Sequence, residues 1–366
     1  MTNPTDDKLN SMTGPATSPA PDAPMVISVE GSAPIMIATP AANIAALTEE
    51  GVLANRAPRS LWSDARRRLF RNKAAVTGMC YIVFLVLVAV AAPLLAPRNP
   101  LEIVPGNTYR QAAWIATPNQ PAATGTWRFP LGTDAIGRDV LSRLIFGTRT
   151  SLIVGFIPMI FTLLIGTTIG LISGFYGHWI DAILMRMADI VYSFPSFLFF
   201  IIVMATLKDT ALGKAFNGFL ILFAALSLVG WVSEARLVRG QVLSLKEKEF
   251  IEAATALGLR QRRILFRHLL PNTLGPIIIS AAFIVPGAII TEAVLSYLGI
   301  GLRPSTNPQA LFPVSWGNMI LDGKGAVNAQ PWLLIAPALA IASITLAFTF
   351  VGDGLRDALD PREANA

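Results

Sequence analysis

Six long apolar stretches constrain this chain more than any other feature of its sequence. They cover residues 74–97, 150–177, 190–207, 215–233, 269–291 and 331–352. An apolar stretch of roughly 18 residues is long enough to cross a bilayer as a helix. The other spanning structure is a closed barrel, whose strands alternate apolar and polar residues, and these stretches do not alternate. We therefore predict an all-α membrane protein with six transmembrane helices.

The composition favours a membrane protein over a soluble one. The chain is 53% hydrophobic and 14% charged, whereas a soluble domain carries about 25% charged residues. The formal net charge of +6 is interpreted as the basic charge of cytoplasmic loops rather than as nucleic-acid binding. Cys80 is the single cysteine, which excludes a disulfide framework. His178 and His268 lie far apart in sequence, so no metal site is predicted.

The distribution of basic residues predicts the orientation. Segments 56–73 and 236–267 hold seven and eight Lys or Arg residues, and four predicted crossings separate them. Both segments therefore lie on one side, which the positive-inside rule makes the cytoplasm. With six spans, both termini are cytoplasmic. The loop 98–149 carries six arginines on the outside; because the rule is weak for long loops, we expect this loop to fold on the outer membrane surface.

The sequence divides into four parts. Residues 1–57, rich in Ala, Pro, Thr and Ser, predict a disordered cytoplasmic tail with two short apolar runs as candidate docking motifs. Residues 58–148 hold the first transmembrane helix and the external loop, 149–353 the transmembrane core, and 354–366 a cytoplasmic tail. The start of the 1–57 tail lacks the features of a signal peptide. Segment 61–73 is amphipathic, and its basic residues are expected to face anionic membrane lipid or to set topology.

Motifs for bond chemistry are missing from the sequence. Gly213-Lys214 and Gly323-Lys324 lack the remaining residues of a phosphate-binding P-loop, and no HExxH, CxxC or GxSxG sequence occurs. We therefore predict no catalytic residue, no metal and no cofactor in this chain. The predicted spans carry almost no ionisable residue at mid-membrane depth, which disfavours an ion-driven transporter. Asp189 and Glu292 fall at span ends and are interpreted as interfacial.

The segment 249–272, between the fourth and fifth spans, is polar and helix-like. On a helix, Ala254 and Gly258 would share one face, where small side chains let a partner approach. A glycine inside a helix costs about 1 kcal/mol against alanine, so a compensating contact is expected. The spacing leaves two alternatives open: a short helix that presses into a groove on another protein, or an amphipathic surface helix whose arginines set topology.

The residues of this segment resemble a known motif. This segment carries a pattern similar to the coupling motif of ABC importer permeases. The matching residues are Glu252, Ala253, Ala254, Gly258, His268, Leu270 and Pro271. His268 stands where the general pattern favours Ile, and this is similar to the peptide-permease branch. Further resemblance to the oligopeptide, dipeptide and nickel permeases, in particular to the "C" member of the permease pair, is carried by segments 61–78, 130–152, 181–197 and 352–362.

The resemblance implies a type I ABC importer permease fold in the inner membrane. It implies a homologous second permease, two ATPase subunits that hold ATP-Mg on the cytoplasmic side, and an external solute-binding protein, with no nucleic-acid partner. The 249–272 segment would dock onto an ATPase subunit. The expected cargo is peptides or similar small solutes, with nickel or another small solute as the alternative. The sequence departs from the family after Leu302, where a longer stretch precedes Ser315-Trp316-Gly317, so the choice of solute and partner stays open.

A glycine run in the second span predicts close helix packing. Gly166, Gly170 and Gly174 recur every four residues, a spacing that lets helices approach closely. Internal packing is favoured over contact with a second permease. Two rival functions remain at this point. A stand-alone secondary transporter predicts charged sites inside the membrane, and a membrane scaffold predicts a cytoplasmic helix that binds a signalling protein.

Overall fold

The computed structural model describes residues 25–27, 35–37, 61–118 and 123–359, in two units, Met1–Ser63 and Asp64–Ala366. In the first unit, strands β1 (Met25–Ile27) and β2 (Ile35–Ile37) pair antiparallel, with Met25 opposite Ile37. These strands coincide with the two apolar runs interpreted as docking motifs. The predicted disorder of the remainder of residues 1–57 lies outside the described residues, as does most of the predicted 354–366 tail.

Helices make up nearly all the other regular structure. In chain order they are α1 (Leu61–Arg71), α2 (Lys73–Val90), α3 (Ala92–Leu95), α4 (Val140–Tyr176), α5 (His178–Tyr192), α6 (Ser196–Leu207), α7 (Ala211–Lys214), α8 (Phe219–Lys246), α9 (Glu249–Ala256), α10 (Gln261–Ile264), α11 (Leu270–Tyr297), α12 (Trp316–Lys324) and α13 (Trp332–Leu359). A 3₁₀ turn (Ala215–Gly218) precedes α8, and a π-helical turn (Leu265–Leu269) precedes α11.

Five helical segments of the described chain are long and apolar enough to cross a membrane, and a bent pair makes up to six. The five are Lys73–Val90, Val140–Tyr176, Phe216–Lys246, Gln261–Tyr297 and Trp332–Leu359. This agrees with the prediction of an all-α membrane protein.

The third predicted span, 190–207, is not a straight helix. It falls across α5 and α6, which are bent by 73° at a short break. Pro195 lies in that break, with extended backbone angles. Proline has no amide hydrogen to donate and disfavours the helical conformation at the residue before it, which favours a break at this position.

The buried core joins the long helices side by side. Gly78 on α2 lies against α13, where an added Cβ would be 2.6 Å from the carbonyl oxygen of Ala347. An added Cβ at Gly155 on α4 would lie 2.7 Å from Cγ1 of Val285 on α11. Trp316, the first residue of α12, is buried in the cluster that these helices form. Small residues at the crossings therefore let α2, α4, α11 and α13 pack closely.

The start of α4 marks one end of the helix bundle, which we term the far end; segment 249–272 lies at the other. At the far end Asp139 caps α4, accepting hydrogen bonds from the amide and the hydroxyl of Ser142 at 2.8 and 2.5 Å. Burial raises the pKa of the Asp139 carboxyl, and the Ser142 bonds oppose that shift. The cap satisfies an amide that has no partner within the helix.

A buried ion network holds the segment between α3 and α4 to α12 at the far end. Arg143, which is 1% exposed, donates to Asp134 Oδ2 at 2.5 Å and to Asp322 Oδ2 at 2.7 Å. Arg138 donates to the same two carboxylates at 2.6 and 3.2 Å. Two arginines are thus neutralised by two aspartates, which is the condition for keeping charges buried.

Candidate functional site

The predicted coupling segment forms a short helical layer at the ends of α4 and α8. Ile251 and Ala254 on α9 are buried, and they pack in one cluster with Leu171 on α4 and with Val238 and Val242 on α8. Acidic Glu249 and Glu252 stand in the first turn of α9, where the helix dipole favours negative charge. Apolar burial therefore fixes α9 directly on two membrane-spanning helices.

Gly258 ends the helix rather than continuing it. Helix α9 stops at Ala256, and Gly258 has a φ of 73°. The amide of Leu259 donates to the carbonyl of Ala254 at 3.2 Å, and the amide of Gly258 donates to Thr255 at 2.9 Å. These two bonds form a Schellman motif, in which glycine takes the left-handed position at little steric cost. The prediction that Ala254 and Gly258 share a helical face is therefore wrong.

The two alanines of the motif differ in burial. Ala254 is 6% exposed and points into the chain, so its small side chain permits internal packing rather than close approach by a partner. Ala253 is exposed. It lies between Phe250 and Leu257, which are 45% and 80% exposed. Positions 250, 253 and 257 have the i, i+3, i+7 spacing of one helical face, and we term them the outer stripe.

The remaining motif residues lie at the entry to α11. His268 is partly buried in the π-helical turn, Leu270 is partly buried, and Pro271 is exposed in the first turn of α11. The amide of Leu270 donates to the carbonyl of Leu265, a π-helical bond. A proline ring collides with the carbonyl four residues earlier in a regular α-helix, so a wider turn before Pro271 is the expected accommodation.

A hollow of about 500 Å³ lies between α9 and the end of α4. Glu252 lines it together with Phe175 and Lys246. Lys246 Nζ donates to the carbonyl of Phe175 at 2.8 Å, which ties the end of α8 to the end of α4. The spacing of the motif gave no sign of this hollow, because its walls come from four separate helices, α4, α8, α9 and α10.

The glycine run of α4 packs against α8. An added Cβ at Gly166 would lie 2.5 Å from Cβ of Glu234, and one at Gly170 would lie 2.6 Å from the carbonyl oxygen of Ala235. An added Cβ at Gly174 would lie 2.8 Å from Cβ of Val242. The run therefore brings two helices of this chain together along three successive turns.

Two carboxylates are buried inside the membrane-spanning helices. Glu234 on α8 is 3% exposed; its Oε2 accepts from the hydroxyl of Ser280 on α11, and its Oε1 has no hydrogen-bond partner among the described residues. Glu234 was not predicted as a residue within a span, because the fourth predicted span ends at residue 233. The prediction that the spans hold almost no ionisable residue therefore needs this correction.

Asp189 and Glu292 differ in their environment. Asp189 is largely exposed and accepts from Arg236 at 2.7 Å, in keeping with the interfacial interpretation. Glu292 is 1% exposed, and its Oε1 accepts from the hydroxyls of Ser296 and Ser315, both at 2.7 Å. The interfacial interpretation of Glu292 is thus wrong, because water does not reach this carboxylate. Its contacts fasten the start of α12 to α11.

The longer stretch after Leu302 forms a loop at the far end. Ser305 donates its amide to the carbonyl of Pro313 at 3.0 Å, which closes the loop on itself. Asn99 Nδ2 donates to the carbonyl of Pro308 at 2.8 Å and links the loop to the segment between α3 and α4. Arg303 forms an ion pair with Asp209, in the turn after α6. This departure from the family pattern is thus tied to two other segments of the same end.

Comparison with known proteins agrees with this architecture. A family model described as "Binding-protein-dependent transport system inner membrane component" matches residues 166–365, and one described as "N-terminal TM domain of oligopeptide transport permease C" matches residues 60–121. The oligopeptide transport system permease protein OppC of Haemophilus influenzae is 42% identical over 305 residues, which cover 83% of this chain and 90% of the relative.

Two further relatives have similar coverage. The dipeptide transport system permease protein DppC of Alkalihalophilus pseudofirmus is 39% identical over 303 residues, 83% of this chain and 90% of the relative. OppC of Bacillus subtilis is 39% identical over the same share of both chains. These findings confirm the resemblance drawn from the sequence. The chain is a multi-pass inner membrane protein and belongs to the family of binding-protein-dependent transport system inner membrane components.

Proposed function

We propose that this chain is the "C"-type transmembrane subunit of an ATP-driven importer and forms part of the pathway for peptides or similar small solutes. The observation that carries the proposal is its similarity, over 83% of its length, to permease proteins named for oligopeptide and dipeptide transport. The subunit carries out no bond chemistry itself. Import of nickel or another small solute by the same kind of machinery is the alternative cargo.

The proposed topology has six crossings with both termini in the cytoplasm. Segment 249–272 then faces the cytoplasm, and the far end faces outside. Basic residues concentrated at 56–73 and 236–267 support this orientation. An external solute-binding protein meets the far end, and two ATPase subunits that hold ATP-Mg meet the cytoplasmic side. A homologous second permease completes the pathway.

The outer stripe supplies the docking surface for an ATPase subunit. Leu257, at 80% exposure, is the most prominent apolar side chain of the segment, and Phe250 stands on the same face. Side chains of this kind gain free energy when a partner removes them from water. Gly258 shapes the surface by turning the chain immediately after Leu257, while Ala253 leaves room between the two larger side chains.

The inner side of α9 transmits movement of the ATPase to the membrane. Ile251 and Ala254 share one buried cluster with Leu171 of α4 and Val238 of α8. Because close-packed interiors transmit displacement, a shift of α9 acts on both helices together. The glycine run keeps α4 and α8 in contact during that shift. Alternating opening of the pathway to the two sides follows from tilting this pair within the membrane.

A pull-down of the tagged full-length chain from native membranes, followed by mass spectrometry, tests the proposal. We expect a second permease and a P-loop ATPase to be recovered. Recovery of the chain alone from gently solubilised membranes would contradict the proposal and favour a self-sufficient transporter or a scaffold.

Variants of the outer stripe sharpen the same experiment. Leu257→Asp is expected to lose the ATPase while retaining the second permease, because a charge replaces the exposed apolar contact. The matched control is Leu212→Asp, which changes a leucine that is 52% exposed in α7. Double replacement of Arg262 and Arg263 by Ala should have a smaller effect, since these arginines mainly set topology. Full retention of the ATPase by Leu257→Asp would contradict docking on the outer stripe.

A further inference from the structure

An apolar groove runs between α2 and α4 near the far end. It has a volume of about 440 Å³ and is lined by side chains that include Val86 and Val90 of α2 and Ile153 and Phe156 of α4. A second hollow of about 490 Å³ lies next to it, with more polar walls that include Arg98, Asn99 and Gln309. Arg149 and Leu311 line both spaces. The two hollows are therefore neighbours that share a wall, one of them apolar and the other more polar.

Arg149 supplies a positive charge at the junction of the two spaces. Its guanidinium donates to the carbonyl oxygens of Ala89 and Val90 at the end of α2, the latter at 2.9 Å, and lies over the ring of Phe146. Within 61–118 and 123–359 it forms no ion pair. Arg98, on the polar wall, is instead neutralised by Glu102 at 2.9 Å. The site thus carries one positive charge that the described chain does not balance.

The surroundings of the groove are those of a lipid-facing surface. Leu87 and Val90 of α2 are 61% and 71% exposed. Only 17% of the α2 span is buried within the chain, against 44% for the spans that contain α8 and α11. Arg149 lies level with the last residue of α2, where the apolar span gives way to the external segment. This is the depth at which phospholipid headgroups meet the acyl region.

We propose that this groove binds a phospholipid with an anionic headgroup, whose acyl chain lies between α2 and α4 and whose phosphate contacts Arg149. An apolar groove with one unbalanced cation at its headgroup end is complementary to such a lipid in both shape and charge. The site also gives a function to part of the arginine-rich external loop, whose charge does not fit the positive-inside rule. Placement in the outer leaflet rests on the proposed topology; the groove and its charge do not.

Lipid retention measured by native mass spectrometry tests this site. The full complex is purified into nanodiscs of phosphatidylcholine with a minority of phosphatidylglycerol. It is then released in the mass spectrometer, and the mass of the complex with its bound lipid is measured. Because a basic residue near an anionic lipid surface contributes about 1 kcal/mol, Arg149→Gln should lower retained phosphatidylglycerol roughly fivefold. Arg149→Lys should restore most of it. Arg128→Gln, which removes an exposed external arginine outside the groove, should change nothing.

A second variant separates the possible occupants. Ile153→Trp fills the groove without altering charge and is expected to lower phosphatidylglycerol retention as Arg149→Gln does. Equal retention of the two lipids by the unmodified complex would overturn the proposal. So would sensitivity to Arg149→Gln with none to Ile153→Trp, which indicates a soluble anion on the arginine. Loss of the second permease from Ile153→Trp without loss of lipid would assign the groove to that protein instead. The readout is bound lipid, so its result is independent of whether the cargo is a peptide.

Discussion

Helix α12 at the far end and helix α9 at the other end are held to the bundle by different forces. At the far end, Arg143, Asp134 and Asp322 form a buried network of directional bonds, and Glu292 fastens α12 through two serine hydroxyls. At the other end, α9 is held by apolar packing, with few side-chain hydrogen bonds to other helices. Directional bonds fix one geometry, whereas apolar contact is non-directional and tolerates small shifts. We infer that α12 is rigidly placed, whereas α9 can shift as a unit.

The largest effect is expected from breaking the far-end network. Arg143→Met should destabilise the protein by about 3–5 kcal/mol, because Asp134 would remain buried with less compensating charge. Thermal unfolding in detergent measures this. Arg138→Met is the control, since Arg138 is 16% exposed and shares the same carboxylates, and it should cost clearly less. Equal stability of Arg143→Met and the unmodified chain would show that the network does not hold this end.

The next effect concerns the glycine run that packs α4 against α8. Gly170→Ala should destabilise the packing of α4 and α8 by about 1–3 kcal/mol, because the added methyl group meets the Ala235 carbonyl. Gly240→Ala is the matched control: it makes the same change on α8, where an added Cβ meets nothing within 4 Å. That variant should be neutral or slightly stabilising. The unfolding midpoints of the two variants show which effect of the added methyl group is larger: its collision with the Ala235 carbonyl or the higher helix propensity of alanine.

A smaller effect is expected at the 249–272 end. Gly258→Ala should weaken the turn by about 1 kcal/mol through its left-handed backbone, with no collision inside the chain. ATPase recovery in the pull-down should fall severalfold. ATPase recovery should fall less with Gly258→Asn, because asparagine tolerates the left-handed conformation. If Asn impairs recovery more than Ala, side-chain size at a partner contact matters more than the turn.

The smallest effect on stability is expected at Glu234, between the two ends. Glu234→Gln keeps an oxygen that can accept from Ser280, so the change should be about 0.5–1.5 kcal/mol or less. Glu234→Leu removes the acceptor and should cost more. ATP-driven uptake should survive Glu234→Gln. Loss of uptake with normal abundance would instead revive the secondary-transporter alternative, which requires an ionisable residue inside the membrane.

Local sequence patterns predicted the helix class and most of the spans, since length and hydropathy decide which segments cross a bilayer. They did not predict the bend at Pro195, because mean hydropathy over a long apolar stretch is insensitive to a single proline. They misplaced Gly258, since spacing alone does not distinguish a glycine within a helix from one that ends it. The pairing of Arg143 with Asp322 joins residues far apart in sequence, and only the packing of α12 against α4 brings them together.

The exposure of the outer stripe has a consequence for assembly in the cell. If an ATPase subunit docks on the outer stripe, as proposed, a copy of this chain that has not yet met it presents Phe250 and Leu257 to water. Chaperones and quality-control proteases recognise exposed apolar side chains of this kind. We therefore expect unassembled copies to be short-lived and the cellular amount of this chain to follow that of its partner, which would set the stoichiometry of the complex by degradation of the excess.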